Sequence, residues 1–315
     1  MPKRQMDVLS DGMNAHRRGL LLAFAAATVS GFAVFLNGFG VRAWAQVSDP
    51  STYTTLKNLV ATVLLALATM VAARRRGTGA VLTRPSSGRQ WAGLAAIAVL
   101  GGSVPFLLFF EGLARSSSLQ AAFIHKTLVV WVAILALVLL GERVRARHLL
   151  AIGLVVAGEA VLAGGVGGIE LGAGELMILA ATLLWSVEVV VAKRLLASLS
   201  APTVGLARMG GGVAILAAYT AIRGGFWELT LTSEHLLWVL ITGVILTAYV
   251  GAWYAALAAA PAVDVTAVLV GGAIVTALLG STSGSPLPSL AGLGLVAAGV
   301  GVVAFLTHPR EPEPA

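Results

Sequence analysis

Long apolar runs separated by short polar connectors dominate the chain. A bilayer core about 30 Å thick is crossed by roughly 20 apolar residues in an α-helix, and ten runs approach that length. Polar and apolar residues do not alternate within them, as they would in the strands of a membrane barrel. The pattern therefore predicts an all-α membrane protein with ten transmembrane helices. The runs lie at residues 20–41, 53–73, 91–113, 119–140, 148–165, 172–192, 202–222, 235–256, 263–280 and 287–307.

The composition excludes the other broad classes of protein. Of the 315 residues, 58% are hydrophobic and only 11% are charged, whereas about a quarter of an average soluble domain is charged. A soluble enzyme could not bury so much apolar surface, and a disordered chain would be far more polar. The absence of cysteine also excludes a disulfide-rich scaffold.

The basic residues predict the orientation of the chain. If the N-terminus is cytoplasmic, 15 of the 21 lysines and arginines fall on the cytoplasmic side and three on the outer side, while Lys57, Lys126 and Arg208 lie within spans. Cytoplasmic loops of membrane proteins are enriched in Lys and Arg. We therefore expect an integral protein of a bacterial-type inner membrane with both termini in the cytoplasm. The net charge of +7 is then a determinant of topology and not a nucleic-acid-binding surface.

The two halves of the chain resemble each other. Ala26-Ala27-Thr28 in the first span matches Ala180-Ala181-Thr182 in the sixth, and Lys57 in the second span corresponds to Arg208 in the seventh. Because each half has five spans, the second half enters the membrane from the opposite side, which is the inverted-repeat plan of many secondary transporters. The predicted units are a cytoplasmic tail at 1–18, a first repeat at 19–165, a second repeat at 171–307 and a cytoplasmic tail at 308–315.

One segment of the first half carries a more specific similarity. Glu111-Gly112-Leu113-Ala114 and Leu139-Leu140-Gly141-Glu142-Arg143 resemble an EamA-type domain of the drug/metabolite transporter superfamily. The second half departs from this pattern, because Gly280 is followed by Ser281-Thr282-Ser283 and not by a glutamate. We interpret Glu142 as an anchor for the loop after the fourth span, and secondarily as a gate residue. The resemblance implies ten helices, a central cavity and transport of small metabolites, without naming the metabolite.

Charged side chains within the spans are the main candidates for function, because a charge at mid-bilayer costs at least about 3 kcal/mol. Features present in one half alone are better candidates for substrate chemistry than features that both halves share. On this argument Lys126 is the first candidate for binding a substrate carboxylate or phosphate, with His125 beside it as a proton carrier or a structural side chain. The alternative for Lys126 is an ion pair with Glu159 or Glu111.

The other buried charges are candidates for coupling or ion pairing. Glu159 and Glu188 could carry a coupling proton or pair with a basic side chain, and Glu111 lies at the outer end of the third span. Lys57 and Arg208 are interpreted as snorkelling or paired scaffold charges, since both halves have one.

Three aromatic residues are candidates for lining a pocket. Tyr249 and Trp253 are four residues apart and therefore share one face of the eighth span, and Trp185 lies in the middle of the sixth. Such rings could stack on a substrate or hold a cation. Packing against lipid or other helices is the alternative.

The chain is therefore expected to be a secondary transporter, and specifically an exporter, of a small anionic or zwitterionic organic metabolite. The alternatives are a proton-coupled multidrug or organic-cation antiporter that uses Glu188 or Glu159 and, more remotely, an intramembrane enzyme or a non-transporting scaffold. The sequence has no Gly-rich phosphate-binding loop for ATP, so we expect no cofactor, metal or catalytic residue. The expected partners are the substrate, the bilayer and protons, but not nucleic acid, and the oligomeric state is left open.

Overall fold

The computed structural model describes residues 3–45, 47–76, 81–164, 171–226, 229–283 and 286–306, without the side chains of residues 3–12, 118 and 119. Within these ranges the chain forms thirteen α-helices and one π-helical turn. In chain order they are α1 (Lys3–Trp44), α2 (Pro50–Arg76), α3 (Gly88–Leu100), α4 (Val104–Leu113), α5 (Ser118–Lys126), α6 (Leu128–Leu135), the π-helical turn (Ala136–Leu140), α7 (Ala146–Leu162), α8 (Ala173–Leu195), α9 (Ala201–Ile222), α10 (Ser233–Ala259), α11 (Ala262–Val270), α12 (Gly272–Thr282) and α13 (Leu290–Leu306).

These helices confirm the predicted all-α membrane architecture. In the described part of the chain, eight helical segments are long and apolar enough to span a membrane. The fifth and tenth predicted spans are shorter, because α7 and α13 have 17 residues each, and these two helices pack against each other. The third, fourth and ninth spans each consist of two consecutive helices.

The first helix begins well before its apolar run. Residues 3–18 belong to the predicted N-terminal tail, and here they are helical, because α1 begins at Lys3 and continues without interruption to Trp44. This stretch contains no proline, so nothing removes a backbone donor or forces the helix to bend. The predicted tail at 308–315 lies outside the described residues.

The contacts between the halves come in matching pairs. The packing of α1 against α10 is matched by that of α8 against α4, and the packing of α2 against α10 by that of α9 against α3. The helix pairs α2–α9 and α7–α13 each join equivalent spans of the two halves. This pattern is the one expected from a pseudo-two-fold axis between two repeats.

Glycines allow close backbone contact at the interruption of the third span. Gly101-Gly102-Ser103 separates α3 from α4, and the Ser103 hydroxyl donates to the Ala98 carbonyl at 2.9 Å. A Cβ atom on Gly212 of α9 would lie 2.4 Å from the carbonyl oxygen of Gly102. Only glycine permits this approach, so α9 is seated directly against the interruption.

We expect Gly212→Ala to destabilise the protein by about 1–3 kcal/mol, because the added methyl group meets backbone that cannot move aside. Gly210→Ala is the matched control two residues away, where the nearest atom to the new Cβ is a Thr62 methyl carbon at 3.9 Å. The melting temperatures of both variants are measured by thermal unfolding in detergent. Equal melting temperatures for the two would contradict the close contact.

Candidate functional site

A cavity lies between the two halves of the molecule. It comprises about 790 Å³ of space free of atoms, part of it open to the surroundings, and the centre of a water molecule can reach about 100 Å³ of this space. Residues from α1, α2, α4, α5, α6, α8, α9 and α10 form its wall. The polar groups on the wall are Ser30, Asn37, Lys57, His125, Glu188, Arg208, Thr242 and Tyr249.

A second space lies among α1, α12 and α13. The centre of a water molecule can reach about 590 Å³ of it, which is more than in the cavity between the halves. Its lining is apolar apart from Arg17 and Thr28. Because binding sites combine an apolar wall with several convergent polar groups, the cavity between the halves is the stronger candidate.

Lys57 is a buried cation that faces the cavity. The residue is only 1% exposed, and its Nζ donates to the Asn37 Oδ1 atom at 3.0 Å. The same nitrogen lies 3.7 Å from the centre of the Phe110 ring. Among the described residues, no carboxylate oxygen lies within 4.0 Å of it. Lys57 is therefore buried, and within the described chain it has no acidic partner at this distance.

Asn37 is held in place by its own hydrogen bonds. Its Nδ2 donates to the Ala33 carbonyl at 2.7 Å, which turns Oδ1 towards Lys57 and the Tyr53 hydroxyl, 3.1 Å away. The same hydroxyl lies 3.0 Å from the Thr242 hydroxyl. The network links α1, α2 and α10, so Lys57 is positioned by both halves.

Arg208 occupies the equivalent position in the second half. Lys57 is seven residues after Pro50, where α2 begins, and Arg208 is seven residues after Ala201, where α9 begins. The guanidinium carbon of Arg208 lies 5.2 Å from the centre of the Phe106 ring. The correspondence inferred from the sequence thus brings both cations to one cavity.

Unlike Lys57, Arg208 has a carboxylate in its surroundings. Glu188 is 2% exposed and accepts a hydrogen bond from the Tyr254 hydroxyl at 2.5 Å. A Cβ on Gly101 would lie 2.5 Å from Glu188 Cγ and 3.0 Å from Arg208 Nε, so both side chains pack over the glycine that interrupts the third span. The positive charge at this end of the cavity is therefore partly balanced.

Aromatic rings cover much of the remaining wall. The His125 ring lies 5.0 Å from Trp185 and 5.5 Å from Phe109, measured between ring centres. Tyr249 and Trp253 stack at 5.9 Å with an angle of 14° between their planes, as their shared helix face indicated. All five residues line the cavity.

The structure separates Lys126 from its neighbour His125. Lys126 is 3% exposed and faces a small separate void, which Glu159 also lines, and not the central cavity. Adjacent residues on a helix point about 100° apart, which accounts for the separation. The Lys126 Nζ donates to the Ser30 hydroxyl at 3.3 Å and, at 3.5 Å, to the Leu269 carbonyl.

Glu111 takes no part in either site. Its carboxylate pairs with Arg115 at 2.8 Å, one turn later on the chain, and the Arg115 side chain is half exposed. It is therefore a local ion pair at the end of α4 and not a partner of Lys126.

Several wall residues were not singled out from the sequence. Phe106, Phe109 and Phe110 lie in one apolar run, where nothing distinguishes a wall residue from one that packs against another helix or lipid. Asn37 could have been found, because it is an amide within an otherwise apolar stretch of the first span.

Glu142 joins the two halves at one end of the molecule. Its two carboxylate oxygens accept hydrogen bonds from the backbone nitrogens of Ala262 at 2.8 Å and Val263 at 3.1 Å, the first residues of α11. A carboxylate is well placed there, because a helix N-terminus has unpaired N–H groups and partial positive charge. Gly141, with φ of 67°, ends the π-helical turn and lets the chain turn back towards α11.

Further polar contacts reinforce this end. Asp264 of α11 lies 3.3 Å from His148 Nε2 and 3.9 Å from His16 Nε2, so one carboxylate of the second half faces two side chains of the first. Arg194 donates to the Leu139 carbonyl at 2.5 Å. We call the contacts of Glu142, Asp264 and Arg194 the latch. The second half lacks the glutamate, so the latch has no Glu142 counterpart at the other end.

The fold and the cavity define a polytopic membrane protein with a central site between two repeats. Residues 17–164 and 172–307 each match the EamA-like transporter family. Because these matches cover most of the chain, the protein belongs to the EamA-like transporter family, with two copies of its domain. Its class thus implies a small-molecule substrate and a membrane location.

A solved structure supports the same fold. A protein whose solved structure is described only as "Crystal structure of protein" is 19% identical, with a TM-score of 0.70, and the alignment covers 94% of this chain and 99% of the other. No curated protein matches this chain. The structural similarity therefore shows the fold alone.

We expect Glu142→Ala to loosen the latch, because hydrogen bonds to a charged group contribute about 1.5–3 kcal/mol each. The chain has no cysteine, so Val263→Cys provides a unique thiol on a residue that is buried against Ala133 and Ala136. In that background, Glu142→Ala is expected to speed maleimide labelling by at least about tenfold, which corresponds to about 1.4 kcal/mol. Glu175→Ala is the control, since Glu175 caps its own helix at Gly172. Unchanged labelling in Glu142→Ala would contradict the role of the latch.

Proposed function

We propose that this protein is a secondary transporter that exports a small anionic or zwitterionic organic metabolite by alternating access of two inverted repeats. The observation that carries the proposal is Lys57, a buried cation without a described acidic partner on the wall of the central cavity. A charge inside the membrane marks a substrate or ion site by default. An anionic group of the substrate supplies the missing partner.

The charges on the cavity wall favour an anion. Lys57 and Arg208 carry positive charge and Glu188 carries negative charge, so the wall has an excess of one positive charge when His125 is neutral. A carboxylate or phosphate at Lys57 balances this excess. Arg208 and Glu188 together suit a further polar or zwitterionic group of the substrate.

The rings on the wall favour a flat apolar body. Phe106, Phe109, Trp185, Tyr249 and Trp253 line the cavity, and both Lys57 and Arg208 lie against the Phe106 ring. Aromatic side chains stack on planar groups with offset or edge-to-face geometry. A substrate with a ring or a conjugated chain and one acidic group meets both features.

The latch supports alternating access. At this end the carboxylates of Glu142 and Asp264 join the halves, whereas at the other end the halves are joined by hydrogen bonds such as that from Trp44 Nε1 to the His235 carbonyl and that between the Thr55 and Thr220 hydroxyls. Rocking of the repeats about the central site opens one end while the other closes. The excess of basic residues at the latch end supports a cytoplasmic position for it, and our proposal has a bacterial-type inner membrane with both termini inside.

The second candidate function is a proton-coupled organic-cation antiporter. It is favoured by Glu188, a carboxylate on the cavity wall next to aromatic rings that could hold a cation. In our proposal Glu188 is instead balanced by Arg208 and by the Tyr254 hydroxyl. The proposal also treats the protein as a transporter without enzymatic activity or a cofactor.

Three ligands that share a phenyl ring and differ in charge test the proposal. Phenylpropanoate is anionic, phenylalanine is zwitterionic and phenethylamine is cationic. A ligand at about a hundred times its dissociation constant stabilises the folded protein by about 2.7 kcal/mol. We expect phenylpropanoate or phenylalanine to raise the melting temperature of the purified protein.

The matched variants are Lys57→Gln and Lys126→Gln, since both remove a buried lysine but only Lys57 faces the cavity. We expect Lys57→Gln to weaken anion binding by at least about tenfold, or about 1.4 kcal/mol, and Lys126→Gln to retain it. A shift with phenethylamine alone that Glu188→Gln abolishes would instead support the cation antiporter. An anion shift lost only in Lys126→Gln would contradict the role of Lys57.

A further inference from the structure

Lys126 and Glu159 form a second charged site outside the central cavity. Both are buried, at 3% and 5% exposure, and both line a small pocket of about 180 Å³. The rest of its lining is Phe123, Thr127, Val155, Val156 and Val270. The substrate cavity therefore leaves this pair of opposite charges unused.

The hydrogen-bonding capacity of the pair is incompletely satisfied. Glu159 Oε1 has no hydrogen-bond partner among the described residues. Neither side chain belongs to an ion pair within 4.0 Å in the described chain. A buried carboxylate without hydrogen bonds is destabilising, and binding of one proton removes its charge.

A hydrogen bond connects Lys126 to the wall of the central cavity. Lys126 Nζ donates to the Ser30 hydroxyl, and Ser30 lines the central cavity. Lys126 therefore lies between the cavity wall and the small pocket that Glu159 also lines. In the second half, Val270 corresponds to Lys126.

The pair also lies where two spans are interrupted. Lys126 ends α5 at the junction with α6, and it contacts the carbonyl of Leu269 just before α11 ends and α12 begins. Discontinuous helices near the midplane are the elements that bind ions and rearrange in secondary transporters. A change of charge on Glu159 alters how strongly Lys126 is attracted to Glu159, in competition with its hydrogen bond to the Leu269 carbonyl. Because Leu269 belongs to the ninth span, this change acts on that span.

We propose that Glu159, with Lys126 as its partner, is the proton-binding site that couples transport to a proton gradient. This inference rests on the proposed transport function. Glu159 accepts one proton in the state open to the outside and releases one proton in the state open to the cytoplasm. Substrate leaves the cell in the opposite direction, while Lys126 keeps its positive charge.

Other titratable groups lie apart from this pair. His125 is adjacent in sequence but faces the central cavity. Asp264 on α11 and His148 on α7 face each other in the latch, eleven residues from Glu159 along α7. The described part of α13 has no titratable side chain.

Infrared spectroscopy tests proton binding without any substrate. Between about pH 9 and about pH 5, the wild-type protein is expected to gain an absorption band of a protonated carboxyl group that Glu159→Gln lacks. Glu188→Gln and Glu111→Gln are the controls, and both should retain the band. A spectrum with no band that depends on Glu159 would overturn the proposal, whatever the substrate is.

Vesicle transport tests the coupling itself. With phenylpropanoate as the probe, Glu159→Gln should retain exchange of labelled for unlabelled ligand. Its accumulation of ligand driven by a pH gradient should fall by at least about tenfold, a change of about 1.4 kcal/mol. Retained accumulation in Glu159→Gln would overturn the coupling role and leave the transport function standing. If the wild type transports none of the three phenyl ligands, the proposed substrate class fails, and the infrared result alone decides whether Glu159 binds the proton.

Discussion

The burial of Lys57 within a membrane-spanning bundle is the constraint on which the architecture of the site depends. A lysine in the middle of a bilayer is stable only with a partner, with water or with both. Here its described partners are the amide oxygen of Asn37 and the face of Phe110, which are neutral groups. Two helices of the first half and one of the second contribute to the network that positions it. The site therefore exists only while the two repeats are packed together.

Equivalent positions of the two repeats have different charged neighbours and make different contacts. Lys57 and Arg208 occupy corresponding places, yet only Arg208 has Glu188 nearby on the wall. Glu142 caps α11, whereas the equivalent segment of the second half has serine and threonine. A symmetric scaffold thus carries an asymmetric charge pattern, both on the wall of the cavity and in the contacts that join the halves at the latch end.

The fold was largely predictable from the sequence, because apolar length alone determines whether a segment can cross a bilayer. All ten predicted runs became helices, and the correspondence of Lys57 with Arg208 placed two charges in matching spans. The breaks at Gly101 and Thr127 were not predicted, since glycine and threonine also occur in continuous helices. Apolar length also could not show that α1 begins at Lys3, because that extension is polar.

The site was predictable only in part. Trp185, Tyr249, Trp253 and His125 were singled out, and the structure places them on the cavity wall. Lys126 was preferred over Lys57 because it occurs in one half only, yet Lys126 faces a separate void. Which face of an apolar helix meets the cavity depends on how ten helices pack, and a uniformly apolar span has no polar stripe that reveals it.

The central claim is that the halves rock about the cavity, and paired distance measurements test it most directly. The chain has no cysteine, so spin labels can be placed at the latch end on Arg143 and Ser198, and at the other end on Ala114 and Thr282, all exposed positions of opposite halves. In vesicles, the account predicts that a change in ligand or pH lengthens one distance while it shortens the other. Two distances that stay constant, or that lengthen together, would contradict alternating access.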